Sequence, residues 1–328
     1  MGSMNYSSVA DLNADAHRFA QELPDFDLVV GIPRSGLLAA AHLCLYLDVP
    51  MTDVDGLCEG RLIDTGERIE EDRSFRNLDS VLVLDDSVRS GNQMTETRNR
   101  LDEQDFPFDV SYGAVYVSPQ GHEYVDYWAE MIPLPRVFEW NLMHHPMLQF
   151  SCVDIDGVLC RDPTSEENDD GERYREFLTD VEPNIVPNQR IGHLVTCRLE
   201  KYRTETEQWL DEHGIQYDTL VMMDLPTKEA RQEQGNHAQY KAEVYDSTDA
   251  PLFIESDPRQ AAEITRRTST PVFCYETMEM IRPGHAKRTY RLVRRFAPRF
   301  KENPVSFPVA ATKYLFYRSR HFISARIQ

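Results

Sequence analysis

The chain is poor in cysteine. Its six residues, Cys44, Cys58, Cys152, Cys160, Cys197 and Cys274, form no CxxC pair. Scattered thiols of this kind exclude a zinc ribbon and a disulfide framework, and several sit in apolar strand-like runs that suit buried free cysteine. The expected compartment is therefore reducing, the cytoplasm. No uncharged apolar run reaches the roughly 18 residues that a membrane span requires, and no signal peptide is legible. Met1-Gly2-Ser3 reads as a vector-derived scar before a native start at Met4. Acidic residues are nearly absent from one region. Residues 281–328 carry twelve Lys/Arg against the single acid Glu302, a net of +11, while the other 280 residues carry −31. The overall charge of −20 thus conceals an acidic body with a basic tail.

A length of 328 residues predicts about two domains of roughly 150 residues, each able to bury a core. The expected divisions are 4–146, 147–280 and a tail over 281–328.

In the first domain, strands are expected at Leu28–Gly31, Val81–Asp85 and Val110–Val117, with a helix over Ser35–Leu47. Strand alternating with helix argues for an α/β fold with a parallel sheet. The turn Gly31-Ile32-Pro33-Arg34-Ser35-Gly36 lets backbone approach a ligand, offers a guanidinium and opens a helix with free N–H groups. Some fifty residues later, Val81-Leu82-Val83-Leu84 delivers Asp85 and Asp86, then Ser87-Val88-Arg89-Ser90-Gly91. Small residues after a strand can aim several N–H groups at an anion, while the acids at the mouth bind sugar hydroxyls or Mg²⁺. In an open α/β sheet both segments lie at the carboxyl ends of the strands, where ligands bind.

The two motifs together resemble the pyrophosphate loop and the phosphoribosyl pyrophosphate (PRPP) motif of type I phosphoribosyltransferases. The resemblance implies that Asp85 and Asp86 hold the ribose 2- and 3-hydroxyls. It puts the 5-phosphate on the amides of Ser87, Val88, Arg89, Ser90 and Gly91 with the Ser90 hydroxyl. The pyrophosphate falls to Arg34, Ser35 and Gly36, with Mg²⁺ offsetting its charge. Two positions depart from the family pattern: Arg89 stands where Ser, Thr or Ala is usual, and Gln93 where a small hydroxyl residue is common. Gly56 to Asn77, with Gly60 and Gly66, suits either a lid bearing Arg61 and Arg68 or a plain surface loop. The acceptor side is expected near Phe138-Glu139-Trp140-Asn141.

The second domain opens with Phe150-Ser151-Cys152-Val153-Asp154-Ile155-Asp156-Gly157-Val158-Leu159. Two aspartates one residue apart at a strand end, followed by a glycine turn, place a nucleophile and an acid around one metal. Val158 and Leu159 break the alternate-acid pattern of a calcium loop. The segment resembles motif one of the haloacid dehalogenase (HAD) superfamily, hhhDxDGhL. Thr196 at the end of strand Ile191–Val195, Lys241, and Glu255-Ser256-Asp257 after strand Pro251–Ile254 follow in that family's order. The resemblance implies attack by Asp154 on a phosphoryl group, Asp156 as proton donor and then base, and Thr196 and Lys241 as phosphoryl contacts. Mg²⁺ would lie on Asp154, the Asp156 carbonyl and one of Glu255 and Asp257, with the division between those two open. Insertions of about 35 and 40 residues allow only a minimal cap and predict an open site for a bulky substrate.

In the tail, Ala286, Tyr290, Val293, Phe296 and Phe300 recur at helical spacing among Lys287, Arg288, Arg291, Arg294, Arg295 and Arg299. A basic amphipathic helix suits the anionic inner face of a cell membrane. Packing on the acidic body or on a second copy in a homo-oligomer is the plain alternative. Nucleic acid ranks last, because no base-reading fold accompanies the charge.

The expected fold class is α/β, with two parallel-sheet, Rossmann-like domains and a basic helical tail. A phosphoribosyl transfer product keeps the 5-phosphate of its donor, and a fused phosphatase has that phosphate as its natural target. The pair resembles bacterial fusions that install ribofuranose in surface polysaccharides. That resemblance implies transfer from PRPP to a lipid-linked glycan hydroxyl, inversion to a β-ribofuranoside, and hydrolysis of the 5-phosphate. A nucleobase transferase with a nucleotide 5′-phosphatase, or a non-catalytic PRPP sensor, are the alternatives.

Overall fold

The computed structural model describes residues 4–63, 75, 78–227, 230 and 237–284. The expected lid positions Gly66 and Arg68, and the tail helices from Ala286 onward, lie outside the described residues. No helix among the described residues is long and apolar enough to cross a membrane. The chain divides into two compact units between His145 and Pro146.

The first unit runs β1 (Asn5–Ser7), α1 (Val9–Glu22), β2 (Leu28–Gly31), α2 (Ser35–Leu47), β3 (Met51–Asp53) and α3 (Val54–Glu59). It continues with β4 (Ser80–Val88), α4 (Asn92–Asp102), β5 (Asp109–Val117), β6 (Tyr127–Met131) and β7 (Arg136–Phe138). Five strands form a parallel sheet in the order β3-β2-β4-β5-β6. Alternate residues of β2 and β4 enter two different cores. Leu28, Val30, Val81 and Val83 join one, and Val29, Leu82 and Leu84 join the other. A sheet covered on both faces needs such continuous apolar strands. Burying each of these side chains stabilises by about 1.5–3 kcal/mol. The chain leaves β2 toward β3, then returns to the other side of β2 as β4. That reversal is the topological switch point, where ligands of open α/β sheets bind.

The second unit runs β8 (Cys152–Val153), α5 (Glu172–Asp180), β9 (Ile191–Leu199), α6 (Arg203–Glu212) and β10 (Tyr217–Met223). It continues with α7 (His237–Asp246), β11 (Phe253–Glu255), α8 (Pro258–Thr268), β12 (Val272–Cys274) and β13 (Glu279–Ile281). Its sheet order is β10-β9-β8-β11-β12-β13, parallel except for β13. Here the switch point lies between β8 and β11.

Two strands run past their expected ends for one reason. The strand expected to end at Asp85 runs on to Val88, because β5 keeps pairing with it through Val88↔Val117. Likewise β9 passes Thr196 and ends at Leu199, because β10 pairs with it as far as Met223↔Leu199. A 3-10 turn, Glu200–Tyr202, leads from β9 into α6.

Candidate functional site

Both switch points carry the acids singled out above. In the first unit β2 stops pairing with β4 at Gly31↔Leu84. Asp85 and Asp86 follow directly on β4, facing the turn that leads into α2. Gly36, in the first turn of α2, lies so close that a Cβ there would sit 2.9 Å from the Leu84 carbonyl and 3.0 Å from Asp85 Oδ1. Only glycine lets helix and acid pair meet at that distance.

Asp86 is buried and both its oxygens accept hydrogen bonds. Ser35 Oγ donates to Oδ1 at 2.7 Å, and Trp140 Nε1 donates to Oδ2 at 2.7 Å. Asp85 accepts from the Asp86 backbone N–H at 2.9 Å. Burial pushes the Asp85 carboxyl well above the usual carboxylate range, the Asp86 charge adds to that, and Arg136 opposes it. Arg136 is itself buried, 5% exposed, and burial brings it down to about 10 against the pull of Asp86. Burial also lowers His145, with Arg89 and Arg136 adding to the effect. Arg136 thus brings positive charge to the acid pair. Nothing in its local sequence signals this, since Arg136 lies fifty residues from Asp86.

The expected anion loop is shorter than its sequence suggests. Ser87 and Val88 are strand residues paired with Tyr116 and Val117. Only Arg89, Ser90 and Gly91 form the turn before α4. Gly91 has φ +75, and a Cβ on it would land inside the Tyr124 ring. Arg34, Arg89 and Ser90 are exposed. Arg61, the described member of the expected lid pair, lies 3.6 Å from Asp53 in an exposed ion pair. In the expected acceptor segment, Trp140 stacks on Phe138 at 4.9 Å and on Tyr116 at 6.3 Å. Next to it, Asn141 Oδ1 is buried with no hydrogen-bond partner among the described residues.

In the second unit Asp154 directly follows β8 and Glu255 ends β11, the two strands flanking the switch point. Lys241, from α7, donates to Asp154 Oδ2 and to Glu255 Oε2, each at 2.6 Å. All three are buried. Desolvation alone would discharge the lysine, but its two carboxylate partners outweigh it and hold Lys241 well above its ordinary value. Burial pushes Asp154 upward, with Lys241 pulling it back. Thr196 is fully buried in β9 and accepts the Arg198 N–H at 3.2 Å.

Arg198 is the residue that sequence reasoning passed over. It is fully buried, and its Nε lies 3.2 Å from each oxygen of Asp156 while its Nη2 lies 2.7 Å from Oδ1. A carboxylate gripped by one guanidinium is held as an acceptor. Donating a proton, the role expected for Asp156, requires that grip to open first.

Glu255 and Asp257 also separate. Glu255 is bonded to Lys241 and accepts the Asp257 N–H at 3.1 Å. Asp257 caps α8, accepting from the Arg259 and Gln260 N–H groups, and lines a cavity that Glu255 does not. That cavity is about 230 Å³, smaller than the roughly 300–1,000 Å³ of drug-sized ligand pockets. Asp154, Asp156, Lys241 and Asp257 line it together with Asp162, Pro163, Asn168 and Tyr174 of the first insertion. Among the described residues no three His, Cys, Asp or Glu side chains converge as a metal cluster.

No protein-family model matches the chain, and no curated protein matches it. Solved structures do show likeness. A purine phosphoribosyltransferase from Pyrococcus horikoshii is 18% identical at a TM-score of 0.32, over 42% of this chain and 93% of that one. A xanthine-guanine-hypoxanthine phosphoribosyltransferase from Helicobacter pylori is 16% identical at 0.33, over 42% and 94%. A hypothetical protein from Neisseria gonorrhoeae with bound ppGpp is 17% identical at 0.33, over 43% and 90%.

Proposed function

We propose that the chain is a PRPP-dependent phosphoribosyltransferase whose second unit removes the phosphate that the transfer leaves behind. The observation that carries the first half is the acid pair Asp85–Asp86 at the switch point, in contact distance of Gly36 and across from the Gly31–Gly36 turn. Two carboxylates there suit vicinal hydroxyls. The N-terminus of α2 with Arg34 suits pyrophosphate, and the turn before α4 with Arg89 suits the 5-phosphate.

In the second unit Asp154 is the nucleophile, oriented by Lys241, and the phosphoryl group occupies the pocket that Asp154 and Asp257 line. Mg²⁺ fits this donor set. Two carboxylates, Asp154 and Asp257, with the Asp156 carbonyl are an all-oxygen set of the kind magnesium completes with water and phosphate oxygens. Its contribution when bound is to offset phosphate charge. Asp156, held by Arg198, is on this reading the group that accepts a proton from the attacking water. On this reading the acceptor is a glycan whose newly added ribosyl phosphate enters that pocket. Lipid linkage and a peripheral position at the membrane rest on the sequence of the tail.

The test is product analysis of Asp154→Asn by mass spectrometry, with PRPP and a panel of nucleobases and lipid-linked oligosaccharides. The expected result is pyrophosphate release with a product that retains its phosphate. Loss of pyrophosphate release together with phosphate removal would contradict two independent sites.

A further inference from the structure

Asp86 is held by an unusual partner. A buried carboxylate must find donors, and one of its two is an indole N–H from a segment 54 residues away, at 2.7 Å. The indole is a donor only, so it serves an acceptor oxygen and nothing else. Its direction is set by packing. The Trp140 ring lies nearly parallel to Phe138, at 14°, and to Tyr116, at 20°. Tyr116 is pinned in turn by donating to Asp15 at 2.7 Å. The stack therefore fixes the plane of the indole, and with it the line along which Nε1–H points. The second donor, Ser35 Oγ, comes from the start of α2. Asp86 thus ties three segments together: the end of β4, the turn expected to face pyrophosphate, and the segment expected to face the acceptor.

We infer that Trp140 is a positioning residue for Asp86, setting the carboxylate that takes a ribose hydroxyl and linking it to the acceptor side. The assignment of the hydroxyl rests on the PRPP reading above; the hydrogen bond does not. Each carboxylate oxygen has two lone pairs, so Oδ2 can keep the indole and still accept a ribose hydroxyl. Removing the indole N–H frees the carboxylate to rotate toward Arg136 and out of line with the sugar.

Trp140→Phe tests this in the full chain, because it keeps the aromatic stack and deletes only the donor. Calorimetric titration with PRPP and Mg²⁺ is expected to give affinity weaker by about tenfold, as for loss of one hydrogen bond to a charged group. Ser35→Ala removes the other donor and is expected to weaken PRPP as well, through Asp86 and through the pyrophosphate turn together. The bond itself is read without ligand. Of the indole N–H resonances from the three tryptophans, one is expected to vanish in Trp140→Phe and to move in Asp86→Ala. Wild-type PRPP affinity in Trp140→Phe would overturn the positioning role, as would an indole signal indifferent to Asp86→Ala. A wild-type chain that binds no PRPP while that signal still responds to Asp86→Ala would overturn the ribose assignment and leave the Trp140–Asp86 bond standing.

Discussion

Both units set an acid at the switch point of a parallel sheet, but they stabilise it by different means. The first surrounds Asp86 with neutral donors, Ser35 and Trp140. The second clamps Asp154 with a buried lysine shared with Glu255. Neutral donors bond both oxygens of Asp86 while Arg136 supplies the positive charge near the pair, and burial first and the Asp86 charge second lift the neighbouring Asp85. A buried ammonium compensates the charge in advance, which suits the phosphoryl contact proposed for Asp154. One architecture thus holds its two acids in two electrostatic settings, and the difference lies in two or three side chains.

The largest effect is expected from breaking the clamp. Lys241→Met leaves Asp154 and Glu255 buried without a cation, a loss of about 3–5 kcal/mol. Calorimetry should show the second unit melting far earlier, while PRPP binding to the first survives. An unchanged melting profile would remove the distinction between the two sites.

Arg198→Met comes next. It strands Asp156, but the 18% exposure of that side chain softens the loss to about 2–3 kcal/mol. Adding Asp156→Asn should recover part of it, because the stranded charge is gone. Failure of the double variant to recover would mean that Arg198 acts through packing on Trp209 instead.

The smallest effect has the opposite sign. Burial and Asp86 make the native Asp85 carboxyl hold its proton to higher pH than the unfolded chain does. Its contribution to stability is therefore present below the unfolded value near 3.9 and lost as pH rises through the folded value. At neutral pH the charged form is a burden, so Asp85→Asn should raise the melting temperature by about 2–4 °C. The gain should shrink as pH falls toward 4, as followed by thermal melts across pH. A variant less stable than wild type at neutral pH would mean that Asp85 is held by partners rather than strained by its neighbour.

Local pattern made much of this visible in advance. The strand Leu28–Gly31 and helix Ser35–Leu47 fall where apolar runs and the intervening turn place them. The acids at both switch points were legible because they end apolar strands. What stayed hidden depends on pairing across the chain. Ser87 and Val88 looked like loop because small and polar residues follow the acids, yet β5 draws them into the sheet. The grip of Arg198 on Asp156 spans 42 residues and the bond of Trp140 to Asp86 spans 54. No periodicity or motif spacing encodes either. The sequence leaves the metal role open between Glu255 and Asp257; the structure buries Glu255 against Lys241 and puts Asp257 among the residues lining the cavity.

The central claim is that the acid pair on β4 binds the ribose of PRPP. Calorimetric titration of PRPP with Mg²⁺ into the full chain and into Asp85→Asn tests it most directly, since that substitution is expected to preserve the fold. Saturable binding by the wild type, weakened at least tenfold in the more stable variant, is the predicted result. Equal binding by both proteins, or none by the wild type, would contradict it.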